Sequence, residues 1–315
     1  MTATATCLDD AEFCDCFDLE AGFIADNGEE MCAGGRITGL ADAPVYVVLG
    51  GISANRAVAD FAGEPGWWAC QVGEGASLDT NKVRILSLDF VADSAGAAPS
   101  TNDQARAILA LADNAGVNRF SVIGSSYGGM VALALAAEAP ERVEKTLVIS
   151  AADRPSAMAQ AWRSIQRETV KLALESGDGA RGLDLARRLA MTTYRTTQEF
   201  EDRFFDPSPD CRDADGVSSY LCARGKAFTR TMTPERFLAL SASMDAHCVD
   251  VSQIKSPVTY VAVEEDVLVP PSQIKNAAAR TPNADLVEIS SYYGHDAFLK
   301  EEAQIRTILA TFAGA

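Results

Sequence analysis

Arg119-Phe120-Ser121-Val122-Ile123 runs directly into Gly124-Ser125-Ser126-Tyr127-Gly128-Gly129, and an alanine- and leucine-rich stretch follows from Met130 to Ala137. The order reads as strand, tight turn and helix, with G-x-S-x-G at the turn. A turn this sharp lifts one serine, Ser126, above the sheet edge. The glycines let strand and helix pass closely, and the helix N-terminus directs its free N–H groups at whatever Ser126 attacks. A serine nucleophile needs a histidine to take its proton and an acid to orient that histidine. The chain holds two histidines, His247 and His295, and His295 stands near the C-terminus, where such a base is expected.

Working outward, apolar runs at 45–49, 83–90, 146–150, 257–263 and 285–290 read as further strands. Helical spacing marks 103–116, 272–280 and 301–312, so strands alternate with helices. That alternation predicts an α/β fold with a mostly parallel sheet covered on both faces. Residues 1–35 are acidic and weakly patterned, and read as an edge strand with loops. Between 153 and 253 strand signals vanish. Helical segments at 157–174, 182–191, 197–204 and 234–244 replace them. We therefore expect a core of 1–152 and 254–315, with 153–253 as a helical lid roofing Ser126.

The 315 residues carry 48% hydrophobic content and a net charge of −17, enough apolar material for a large core and the wrong sign for nucleic acid or anionic membrane. No stretch approaches the roughly 20 apolar residues of a membrane span. The first residues lack the basic and apolar regions of a secretion signal, so the expected location is cytoplasmic. Of eight cysteines, Cys7, Cys14, Cys16 and Cys32 crowd the N-terminus, and Cys70, Cys211, Cys222 and Cys248 are scattered. Their spacing fits no zinc pattern; they read as reduced thiols, with no metal.

Chain order supplies the rest of a proton relay. After the strand at 257–263 comes Glu264-Glu265-Asp266, and after the strand at 285–290 comes Gly294-His295-Asp296. In the order of α/β-hydrolases, acid and then histidine follow the nucleophile on late strand ends. Asp266 fits the loop position, with Glu264 and Glu265 as rivals. An oxyanion would rest on the N–H of Tyr127 and on that of Ile52, after Gly50-Gly51. His247, inside the helical segment, reads as structural.

Several stretches resemble the homoserine O-acyltransferase family of methionine biosynthesis. Gly66-Trp67-Trp68, Val72-Gly73-Glu74-Gly75 and Leu78-Asp79-Thr80 are similar to its GWW…VGPGxxxDT segment. Ser126-Tyr127-Gly128-Gly129-Met130 resembles its nucleophile turn, and Tyr293-Gly294-His295-Asp296-Ala297-Phe298-Leu299 its C-terminal signature. Ser164-Ile165-Gln166-Arg167-Glu168, Thr193-Tyr194-Arg195 and Ser243-Met244-Asp245 resemble motifs of its lid.

The resemblance implies an α/β-hydrolase fold, acyl transfer from acyl-CoA to the L-homoserine hydroxyl through an acyl-serine, and no bound cofactor. It places the substrate-holding arginine on Arg187, seven residues before its partner Tyr194, and gives Asp296 the homoserine ammonium. Arg188 is the alternative to Arg187; one helical step of ~100° separates them, so only one faces the cleft. A homodimer through the lid is also implied. Tyr127, the Gly50-Gly51-Ile52-Ser53 segment and the short chain resemble a compact subgroup associated with succinyl transfer. Acetyl-CoA as donor, serine as acceptor, an esterase with the same relay and a non-catalytic scaffold are the alternatives carried forward.

Overall fold

A computed structural model describes residues 15–92, 98–205 and 215–314, and among these residues there are ten strands and ten α-helices. The strands are β1 (Asp15–Ile24), β2 (Glu30–Gly39), β3 (Val45–Leu49), the short β4 (Val72–Gly73) and β5 (Leu78–Asp79), β6 (Arg84–Leu88), β7 (Phe120–Ser125), β8 (Val143–Ile149), β9 (Val258–Val263) and β10 (Ala284–Ile289). The helices are α1 (Thr101–Asn114), α2 (Tyr127–Glu138), α3 (Ala157–Glu175), α4 (Gly179–Tyr194), α5 (Thr197–Phe204), α6 (Asp215–Phe228), α7 (Pro234–Ala246), α8 (Pro271–Arg280), α9 (Ala297–Lys300) and α10 (Glu302–Ala313).

Eight strands form one sheet in the order β1-β2-β6-β3-β7-β8-β9-β10. From β6 to β10 all neighbours are parallel; β1 and β2 add an antiparallel hairpin at one edge. The expected mostly parallel sheet is present. Its central strands are mostly apolar because both faces are covered, and their residues alternate between two cores. Val47, Val122, Val148 and Tyr260 pack with α1, α2 and α8. Val48, Ile123, Ile149 and Val261 pack on the opposite face with Trp68 and with Ile305 and Leu309 of α10.

The N-terminal hairpin is longer than expected: β1 and β2 pair over their full ten residues. The core-facing positions of β2 include Ala33 and Gly35, whose small size leaves no apolar alternation to read. A side chain at Gly35 would strike the Ser87 carbonyl and Leu111, so α1 packs close to the strand there. Cys16 and Cys32 lie in β1 and β2; Cys7, Cys14 and Cys211 fall outside the described residues. Among the described residues no group of three or more His, Cys, Asp or Glu side chains is placed to hold a metal ion. No described helix is long and apolar enough to cross a membrane.

All five helices α3–α7 lie between β8 and β9, the interval expected to form the lid. They include α6, which the sequence reading left out. Asp245 at the end of α7 fastens two arginines of α3: its carboxylate oxygens lie 2.6 Å from Arg163 Nε and 2.7 Å from Arg167 Nη1.

Candidate active site

Ser126 occupies the turn between β7 and α2 with φ 55° and ψ −120°, a conformation L side chains rarely adopt. Surrounding bonds hold this strain in place. Ser126 N–H donates to the Ile149 carbonyl and Gly128 N–H to that of Gly50, both at 2.9 Å. A Cβ on Gly124 would collide with the Gly128 backbone, and one on Gly128 with the Leu49 carbonyl. Glycine is therefore obligatory at both ends of G-x-S-x-G, because strand and helix touch there.

His295 lies in a single 3-10 turn, Gly294–Asp296, after β10. Its Nε2 is 2.9 Å from Ser126 Oγ and its Nδ1 is 2.7 Å from Asp266 Oδ2. The other oxygen, Asp266 Oδ1, accepts the N–H groups of Leu268 and Val269, each at 2.9 Å. Asp266 is thus fully buried yet satisfied, and presents one lone-pair face to the imidazole. Burial opposes protonation of His295, but the charge and hydrogen bond of Asp266 outweigh it, so its pKa stands above the ordinary histidine value. Of the rival acids, Glu264 is exposed and Glu265 bonds Ser290 and Ser291. Neither meets the histidine.

Ile52 and Tyr127 flank Ser126, and among the described residues neither backbone N–H has an acceptor. The Tyr127 phenol is fully buried and shares a 2.8 Å hydrogen bond with Ser243 of α7.

Two cavities meet at Ser126 and His295. The first lies beneath α3 and α7, among Trp162, Gln166, Phe237 and Met244. Arg163 also lines it. This guanidinium is only 6% exposed, and its Nη2 has no hydrogen-bond partner among the described residues. The buried Ser150 hydroxyl on the same wall is likewise unpartnered. Because one Asp245 carboxylate serves both Arg163 and Arg167, the group retains an excess positive charge.

The second cavity is lined by Arg187, Tyr194 and Asp296 together with Ser126 and His295, so the structure brings the expected acceptor residues together. The Arg187 guanidinium lies over the rings of Tyr194 (5.2 Å) and Phe228 (4.7 Å) and has no ion-pair partner among the described residues. Arg188 turns away and clamps Asp184 at 2.6 and 2.8 Å. Tyr194 also packs on His295, with ring centroids 5.6 Å apart. Asp296 is less free than expected, since Oδ2 is ion-paired with Arg195 Nη2 at 2.9 Å.

Arg163 is the site residue that sequence reasoning missed. Its i, i+4 spacing to Arg167 puts two cations on one face of α3, but that spacing does not tell a buried pair from a solvated one.

A serine on a strained strand-to-helix turn, with acid and histidine delivered in order by later strand ends, defines an enzyme of the α/β-hydrolase fold. The family profile described as alpha/beta hydrolase fold matches residues 61–302. A homoserine O-succinyltransferase of Xanthomonas campestris pv. campestris is 39% identical over 285 residues, covering 88% of this chain and 77% of that protein. A homoserine O-acetyltransferase of Deinococcus radiodurans is 30% identical, over 87% of this chain and 84% of its own length. The chain belongs to the homoserine O-acyltransferase family. In fold it is similar to the crystal structure of homoserine O-acetyltransferase from Bacillus anthracis, with TM-score 0.85, 16% identity, and 96% and 98% of the two chains covered.

Proposed function

We propose that this chain transfers a succinyl group from succinyl-CoA to the side-chain hydroxyl of L-homoserine, through an ester on Ser126, as a cytoplasmic step of methionine biosynthesis. One observation carries the reading: two cavities share Ser126 and His295, one bordered by Arg187, which has no ion-pair partner among the described residues, the other by Arg163, which shares Asp245 with Arg167 and keeps its Nη2 without a hydrogen-bond partner. The donor has a distal carboxylate for Arg163, with the Ser150 hydroxyl as a second donor. The acceptor has one for Arg187.

In the first half-reaction His295 takes the Ser126 proton as Oγ attacks the thioester carbonyl. The oxyanion rests on the N–H groups of Ile52 and Tyr127, and its collapse breaks the C–S bond. His295 returns the proton to the departing CoA thiolate. In the second half-reaction His295 deprotonates the homoserine hydroxyl, which attacks the acyl ester; the tetrahedral adduct collapses, and Ser126 regains its proton from the imidazolium. Arg187 would hold the acceptor's carboxylate, and Asp296, through the oxygen not paired to Arg195, its ammonium. Each step uses protein groups and the co-substrate alone. The acceptor must outcompete water at ~55 M, which effective molarities of order 10⁵ M from fixed orientation allow.

The acetyl donor is a second reading, favoured by the name of the Deinococcus relative. It leaves Arg163 Nη2 without a partner. A matrix of succinyl- and acetyl-CoA against homoserine, serine and no acceptor, read by CoA release and product mass, tests these readings. We expect O-succinylhomoserine as the dominant product. Release of CoA at the same rate without homoserine would mark a hydrolase and refute the proposal.

We further propose that two copies pair through α3, whose Met158, Ile165 and Leu172 are 57%, 57% and 64% exposed at seven-residue spacing. Ile165→Asp should convert the dimer to a monomer in light scattering.

A further inference from the structure

Arg195 stands between the second cavity and a surface basin. On one side its Nη2 holds Asp296, which lines the cavity; on the other it joins Arg203, Arg224 and Lys300 around the basin. Leu299 lines the cavity and the next residue, Lys300, the basin, so the two are adjoining. Among the described residues that line it are four cations and one carboxylate, Glu199, with Asp202 hydrogen-bonded to Tyr292 at its wall. Glu199 is already committed to Arg195 at 3.3 Å and to Arg203 at 2.7 Å. Arg224 and Lys300 have no ion-pair partner among the described residues, and both are exposed.

Tyrosines complete the basin. The Tyr220 ring sits under both Arg203 (4.6 Å) and Arg224 (5.5 Å), which restrains the two guanidinium planes. Tyr292 is exposed at 38% on the same wall. In a chain of net charge −17 a local excess of cations beside a cavity mouth focuses anions toward that mouth.

We propose that this basin binds the nucleotide end of the acyl-CoA donor, with Arg224 and Lys300 on its phosphates and Tyr292 against the adenine. The assignment rests on reading the site as an acyl-CoA transferase. With the thioester carbon at Ser126 and the acyl chain toward Arg163, the pantetheine arm leaves through the second cavity and emerges at the basin. Homoserine then takes the cavity that CoA has vacated.

The test uses the full-length protein and its R224S/K300S variant, with CoA and pantetheine as probes in calorimetry. We expect CoA binding to weaken roughly tenfold in the variant, as for the loss of two partly solvated phosphate contacts, while pantetheine binding stays unchanged. The salt dependence of CoA binding should flatten as well. CoA affinity within about twofold of the parent, or an equal loss for pantetheine, would overturn the basin assignment. Turnover with succinyl-pantetheine in the same preparations reports on the transferase reading separately. If it fails while CoA binding still responds to the variant, the acyl-transfer chemistry is wrong and the nucleotide basin stands.

Discussion

Replacing Arg163 by methionine separates a donor-specific role from a structural one. Methionine keeps much of the side-chain length and fills the cavity beneath α3 and α7 without charge. Asp245 is not orphaned, because Arg167 still reaches it at 2.7 Å. The fold therefore loses one arm of a three-membered ion group and leaves no unpaired buried carboxylate. The bound succinyl group loses a charge-assisted contact in a largely apolar cavity, an interaction of about 3 kcal/mol. At 1.36 kcal/mol per decade this is a fall of about 150-fold in kcat/KM for succinyl-CoA.

Acetyl-CoA offers Arg163 no carboxylate and should change by less than about threefold. The assay follows CoA release with a thiol reagent under saturating homoserine, both donors side by side, with melting curves as the check on folding. Equal losses with both donors would show that Arg163 only supports the lid. An unchanged succinyl rate would remove the carboxylate from Arg163 altogether.

The raised pKa of His295 places the ascending limb of kcat/KM against pH above the ordinary histidine value of 6.5, since only the neutral imidazole accepts the Ser126 proton; a limb at or below 6.5 contradicts the Asp266 coupling. His247 behaves oppositely: burial lowers its pKa from 6.5 to about 4, so between those values the unfolded chain binds the extra proton and stability rises with pH. About 3 kcal/mol should be lost between pH 7 and pH 4 through this group, and urea midpoints of His247→Asn should show a correspondingly smaller decline. Arg187→Lys keeps the charge but loses the fork and its packing on Tyr194 and Phe228, so kcat/KM for homoserine should fall roughly 30-fold. At saturating succinyl-CoA the burst of CoA release that reports Ser126 acylation should keep its rate, and a slower burst there would place Arg187 in the chemistry of the first half-reaction instead.

Ser126, Asp266 and His295 were legible because each sits where an apolar strand ends, and a strand end in a parallel sheet faces the ligand side. Choosing Asp266 over Glu264 and Glu265 needed only loop position, and the two backbone N–H groups on Asp266 Oδ1 supply the reason. Arg187 required the resemblance; the clamp of Arg188 on Asp184 explains why its neighbour cannot share the role. The second hairpin strand stayed hidden because its core positions are small. Helix α6 carries Gly216 and Gly225, both poor helix formers. Arg163 was illegible for a different reason. Its partner Asp245 lies 82 residues away, and nothing local distinguishes a buried guanidinium from a solvated one.

Tyr127 joins two parts of the molecule that the chemistry treats as separate. Its main-chain N–H faces the reacting centre while its phenol is bonded to Ser243, on the underside of α7. Burial pushes the phenol pKa up, so that bond stays between neutral partners throughout the working pH range. Lifting helix α7 would have to break that buried bond or pull on the turn that carries Ser126. The second cavity, bordered by Trp67 and Arg187, reaches Ser126 without disturbing α7. The ceiling over the acyl chain is a wall and not a door, which suits an ester that must outlast its exposure to water.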